Sequence, residues 1–110
     1  MPAKLGEFEQ LVLLAILRID EDAYAVSIRR EIARCTDRRP ALSAVYTTLG
    51  RLEEKGLVKS WFGDPTPERG GRAKRCFTVS RKGIREVARV QRSYAHLLEG
   101  LDLPGVAYAR

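Results

Sequence analysis

Apolar positions along the chain fall into four helical stripes and two short runs of strand type. Phe8, Leu11, Val12, Ala15, Ile16 and Ile19 recur at three- and four-residue spacing and predict a helix over residues 5–19. Leu13, Leu14 and Leu17 widen that stripe almost to the full circumference, and a helix apolar all round is buried on more than one side. A strand is the rival reading of 11–17, but the helical phase runs beyond it. After the acidic turn Asp20-Glu21-Asp22, Tyr24, Ile28 and Ile32 predict a second helix over 23–34, with Arg29, Arg30 and Arg34 on its outer face. Pro40 biases Arg39 away from helix and closes a break over 36–40.

A third helix, residues 42–55, has Leu42, Val45, Leu49 and Leu52 on one side. At about 100° per residue, Ser43, Thr47, Gly50, Arg51 and Glu54 fall on the opposite side and Tyr46 at the border. Short polar side chains thus face outward from a helix whose other face is core, and Gly56 is placed to cap its C-terminus. Residues 57–62 and 76–79 read as two strands. The connection between them holds two prolines and three glycines, and its distal half is basic. By alternation, one of Trp61 and Phe62 faces the core and the other faces out. Ser80 caps a last helix, in which Ile84, Val87, Tyr94, Leu98 and Leu101 repeat at helical spacing until Pro104-Gly105 stops it. A helix this long at the end of a small chain has little to pack on except a copy of itself.

Helix, helix, helix, strand, basic loop, strand, long helix is the order of a winged helix-turn-helix. The predicted fold class is mainly α with a two-stranded β wing and a C-terminal dimerisation helix. The predicted division is 1–79 for the winged helix, 80–103 for the dimerisation helix and 104–110 for a tail. In such motifs the second helix of the pair enters the major groove of duplex DNA with residues near its N-terminus. Ser43, Tyr46, Thr47, Thr48 and Arg51 are the candidates there, since short hydroxyl side chains let the backbone approach and reach phosphates or base edges. The candidate dimer surface combines Leu11 and Leu14 of the first helix with Ile84, Val87, Tyr94, Leu98 and Leu101 of the last.

Charge sharpens the picture. The net charge is +6, and residues 59–85 alone carry eight basic and two acidic side chains, which accounts for all of it. A basic concentration in one quarter of a chain is the footprint expected for a polyanion partner. Arg69, Arg72, Lys74 and Arg75 are the wing candidates for phosphate contact. At 110 residues and 45% hydrophobic content the chain suits one domain with a modest core. Residues 11–17 are too short a run to span a bilayer. Cys35 and Cys76 lack metal-ligand spacing and read as free thiols in a reducing, cytoplasmic setting. No cofactor is expected. The sole histidine, His96, has no cysteine or acid pair at metal spacing, and no catalytic set converges in the sequence. The other reading of a winged helix, a protein-interaction module that does not select DNA sequence, has no use for so localised a charge.

The chain resembles the PadR family of transcriptional regulators. "LGEFEQLVLLAIL" is similar to that family's first helix, "DAYAVSIRREI" to its second, and "LSAVYTTLGRLEEKGLVKS" to its recognition helix and the start of the hairpin. "PTPERGGRAKRCFTVSRKGI" resembles the wing and the Ser-x-x-Gly start of the fourth helix. The resemblance implies a homodimer joined by the C-terminal helix. It also implies repression on an inverted-repeat operator, with a small effector, often aromatic, releasing the DNA. Three departures stand out. Ala41 takes the place of a common serine cap, alanines flank Tyr24 where a glycine is often found, and the C-terminal part reads as one helix and a short tail, as in the family's small members, so no separate effector domain is expected.

Overall fold

The computed structural model describes residues 4–65 and 73–105. Helix α1 spans Glu7–Ile19 and is held at its start by charge: the Glu9 carboxylate accepts from the Gly6 N–H at 2.9 Å. Lys55, at the far end of the third helix, donates its ammonium to both Glu9 oxygens at 2.9 and 2.7 Å. Burial alone pushes the Glu9 carboxyl up, but the Lys55 and Gly6 hydrogen bonds and the Lys55 and Arg51 charges outweigh it and leave the group lowered. Glu9 is therefore more acidic folded than unfolded. Its stabilising contribution is present above the ordinary carboxylate range and is lost as pH falls through the lowered value. Lys55→Ala strands a nearly buried carboxylate and is expected to cost about 2 kcal/mol at neutral pH. Denaturant melts at neutral and acid pH check this, since the gap between variant and wild type narrows once Glu9 is protonated.

Asp20 and Asp22 turn the chain with φ of 64° and 61°, a region that aspartate tolerates better than most residues. Helix α2 spans Ala25–Cys35, and Ser27 secures its first turn by accepting from the Tyr24 N–H at 3.0 Å. Helix α3 spans Leu42–Glu54. Its end is set by Gly56, at φ 75°, which lets the Gly56 N–H reach the Glu53 carbonyl at 3.0 Å and the Leu57 N–H reach Leu52 at 2.9 Å.

Strands β1 (Val58–Pro65) and β2 (Ala73–Val79) pair antiparallel, with Val58 opposite Val79 and Trp61 opposite Cys76. The hairpin is longer than its sequence predicts, because residues 73–75 continue the ladder. The chain before α2 joins the same sheet: Tyr24 bridges Cys76, and the Phe77 N–H donates to the Ala23 carbonyl at 2.8 Å. The alternation expected of Trp61 and Phe62 fails, for both are exposed. Phe62 lies opposite Arg75, beyond the stretch where Val58, Phe77 and Val79 pack on the helices.

Helix α4 spans Arg81–Leu98, capped by Ser80, whose hydroxyl accepts from the Gly83 N–H at 3.1 Å and donates to the Gly56 carbonyl at 2.7 Å. The helix stops earlier than its apolar repeat predicts. Gly100, at φ 77°, turns the chain, so Leu101 lies just outside the helix. One core of Val12, Leu13, Ile16, Ile28, Val45, Leu49, Leu52, Leu57 and Phe77 joins the three N-terminal helices and the sheet. Val87 belongs to this core too and packs within its own chain, which corrects its assignment to the dimer surface. The first half of α4 is thus fixed to the winged helix. Beyond it, Tyr94 and Leu97 are 55% and 76% exposed.

Candidate nucleic-acid interface

Helix α3 presents the face that its phase predicts. Val45, Leu49 and Leu52 are buried against α1 and α2, while Ser43, Tyr46, Thr47, Gly50 and Arg51 are exposed. Space around Gly50 is open, so its lack of a side chain serves no packing need inside the protomer. The Thr47 hydroxyl donates to the Ser43 carbonyl at 3.0 Å, which leaves its methyl and its oxygen lone pairs on the outer surface. Thr48 departs from expectation. It is only 6% exposed and belongs to the inner side of the helix, one step of phase from Val45 and Leu49. Its place in the candidate surface is withdrawn on that ground.

The wing residues divide in three. Arg69 and Arg72 lie outside the described residues. Lys74 is 8% exposed, its ammonium 2.6 Å from the Asp22 carboxylate and 4.9 Å from the centre of the Tyr24 ring. The Asp22 contact is the main reason that its pKa is raised. A cation so enclosed ties the wing to the turn before α2 and cannot lie along a phosphate in this arrangement, contrary to its sequence assignment. Arg75 is exposed but engaged. Its guanidinium meets Glu53 of α3 at 2.5 Å and the Ser60 hydroxyl at 3.1 Å, and it lies 5.6 Å from the Phe77 ring. The Glu53 contact fixes the wing against the C-terminal half of α3. Sequence reading missed Asp22, Tyr24 and Glu53 as partners of these cations. The runs of charge gave no sign of them, because Asp22 is 52 residues from Lys74 and Glu53 is 22 from Arg75.

On the candidate dimer surface, Leu11 and Leu14 are half-buried against the core of their own chain, Leu98 is half-buried, and Ile84, Tyr94 and Leu101 are exposed. Leu17 of α1 and Leu103 after α4 add further exposed apolar surface. Neither cysteine forms a disulfide; Cys35 is exposed and Cys76 buried. Among the described residues no cluster of metal-ligating side chains occurs, and no helix is long and apolar enough to cross a membrane.

Three helices, a hairpin that packs on them and an outward polar face on the third helix define a winged helix-turn-helix. Residues 13–89 match the transcriptional regulator PadR-like family, and the chain belongs to it. Members of that family are transcriptional regulators rather than enzymes. Comparison with curated protein sequences gives no match. Among solved structures, a PadR family transcriptional regulator from Eggerthella lenta is similar at 22% identity and a TM-score of 0.66, covering 86% of this chain and 81% of that one. A PadR-like transcription factor from Bacteroides fragilis is similar at 21% identity and a TM-score of 0.69, with 86% and 85% covered. F93 from STIV, described as a winged-helix DNA-binding protein, is similar at 15% identity and a TM-score of 0.63, with 90% and 100% covered. At these identities the likeness is one of fold.

Proposed function

We propose that the protein is a homodimeric repressor that reads an inverted-repeat operator in duplex DNA with α3. The observation that carries this reading is the exposed face of α3, where Ser43, Tyr46, Thr47 and Arg51 surround a glycine with open space beside it. A helix fully packed within its own protein has no use for a narrow polar ridge of this kind. A major groove accepts one, because small side chains bring the helix close and hydroxyls and a guanidinium reach base edges. Arg51 is the direct reader of guanine and Thr47 the contact to thymine methyl or phosphate. Arg69 and Arg72 remain the wing's phosphate contacts in this proposal, while Lys74 and Arg75 position the wing. The dimer is joined through the distal half of α4 and the neighbouring surface of α1. Repression, release by a small, often aromatic effector and a cytoplasmic setting belong to the same proposal, and membership of the PadR-like family supports them.

Fluorescence anisotropy on a preferred duplex and on a scrambled one tests the reading. Tyr46→Ala and Thr47→Ala are each expected to cost about 1–3 kcal/mol on the preferred site and much less on the scrambled one. Thr48→Ala, beneath the surface, is expected to lower the melting temperature and leave discrimination intact. Equal losses on both duplexes for the Tyr46 and Thr47 variants would remove α3 from sequence readout.

A further inference from the structure

Helix α4 carries two faces of opposite chemistry. Val87 packs in the core, and Tyr94 and Leu98 continue its side of the helix. Arg81, Arg85, Arg89 and Arg92 recur at spacings of four, four and three on the side turned away from Val87, and all four are exposed. At the usual rise per residue this row runs about 16 Å along the helix. Glu86, a step round the helix, pairs with Arg89 at 2.8 Å. Arg81, Arg85 and Arg92 meet no carboxylate among the described residues.

The row runs against the electrostatics of a helix. Like charges four residues apart repel, and here Arg81 faces Arg85 and Arg85 faces Arg89. The positive end of the helix dipole favours acids, yet the first turn of α4 starts with Arg81 and Lys82 and holds no acid. Lys82 is accommodated by donating to the Lys55 carbonyl at 3.0 Å. Helix α1 follows the rule, with Glu7 and Glu9 in its first turn and Arg18 in its last. Other exposed arginines of the fold are paired: Arg18 and Arg34 share Glu31, Arg38 meets Glu7 and Arg75 meets Glu53. A local rule broken without compensation inside the chain marks a surface whose compensation comes from outside.

We infer that the arginine row of α4 is a second polyanion surface, and that its occupant is a stretch of a second DNA duplex held without regard to sequence. The inference adds to the operator reading above and rests on it for the first duplex. The Ser80 hydroxyl donates to the Gly56 carbonyl at 2.7 Å, which sets the start of α4 at the C-terminal end of α3. Helix α3, about 20 Å long by its 13 residues, thus separates the row from the end that would enter the groove. Protein interfaces draw their energy from aromatic and large apolar anchors. The row has none, only Ala88 and Ala95 beside it. Duplex DNA offers a uniform run of charge, one per about 1.7 Å of axis, and a guanidinium fork matches phosphate oxygens. The apolar side of α4 is left to a second copy of the chain, so the row stays open when the helices pair. Such a regulator holds two duplex segments at once and draws distant DNA to its operator.

A capture experiment tests this. Immobilised duplex of the preferred sequence is saturated with protein, washed, and offered labelled duplex of unrelated sequence at low salt. The wild type is expected to capture the labelled duplex. The Arg81→Gln/Arg85→Gln/Arg92→Gln variant should lose about tenfold in capture, while the corresponding lysine triple stays close to wild type. Affinity of the glutamine variant for the preferred duplex should stay within about twofold, since the row lies apart from α3. Relief of like-charge repulsion should leave it melting at or above the wild-type temperature, which separates lost capture from unfolding. Equal capture by the glutamine variant, or none by the wild type, overturns the assignment. So does weaker binding of that variant to the preferred duplex with a shallower salt slope, which would lay the row along the operator's own flanks. Capture of labelled polyglutamate in place of duplex also overturns it and gives the row to an acidic protein. If no duplex is preferred, the operator reading fails by itself. Unrelated duplex then serves both on the surface and in solution, and the row still stands or falls by the glutamine variant.

Discussion

Replacing Gly83 with alanine is expected to destabilise the fold by about 3 kcal/mol, at the upper end of what overpacking usually costs. A Cβ at this position would lie 2.3 Å from the Leu57 carbonyl oxygen and 2.7 Å from a Val79 methyl. A side chain can swing away from such a clash, but the Leu57 carbonyl cannot move freely. It accepts from the Ser80 N–H at 2.9 Å, at the point where β1 begins and α4 is capped. Relief would require α4 to back away from the sheet and would loosen both the Ser80 cap and the burial of Val87. Thermal and denaturant unfolding of Gly83→Ala measure the effect. A loss under 1 kcal/mol would show that α4 is not seated as described. Gly50→Ala supplies the contrast. It has open space around it and a helical position, so it should hold or slightly raise stability while weakening DNA binding.

Leu98→Asp is expected to convert the proposed dimer to monomers at micromolar concentration. The protomer leaves Ile84, Tyr94 and Leu101 exposed beside half-buried Leu98, an apolar surface of the kind that marks an interface. Burying one such side chain is worth about 1.5–3 kcal/mol, and a two-fold axis applies each change twice. An aspartate also places a charge in the middle of an apolar surface, where burial penalises it. Leu98 touches its own chain as well, so Tyr94→Asp is the companion variant: it is exposed in the protomer and its loss spares the fold. Sedimentation of both should show monomers that melt near the wild-type temperature when extrapolated to low concentration. Variants that remain dimeric would move the interface elsewhere.

Helix phase and turn chemistry were legible in the sequence wherever the determinants are local. The Val45–Leu49–Leu52 stripe, the Lys55-Gly56 stop and the Ser80 cap each depend on residues within a few positions of one another, and each is found where the pattern puts it. Thr48 shows what goes wrong when residue type outweighs phase. It lies about 60° from Val45 at the usual rotation per residue, so the wheel already placed it inside, and only its hydroxyl spoke for the surface. Lys74 and Arg75 read as outward charges because their acids come from distant parts of the chain. Gly83 looks like an ordinary first-turn residue until the Leu57 carbonyl is seen beside it.

Selection of bound duplexes from a random pool tests the central claim most directly. The wild-type protein, at a salt concentration that suppresses nonspecific binding, is expected to enrich an inverted repeat. Its half-site centres should lie about 10 base pairs, or roughly 34 Å, apart, the distance at which a two-fold dimer sets its α3 helices in successive major grooves of one duplex face. Enrichment of no sequence, or of a single asymmetric site, would contradict it.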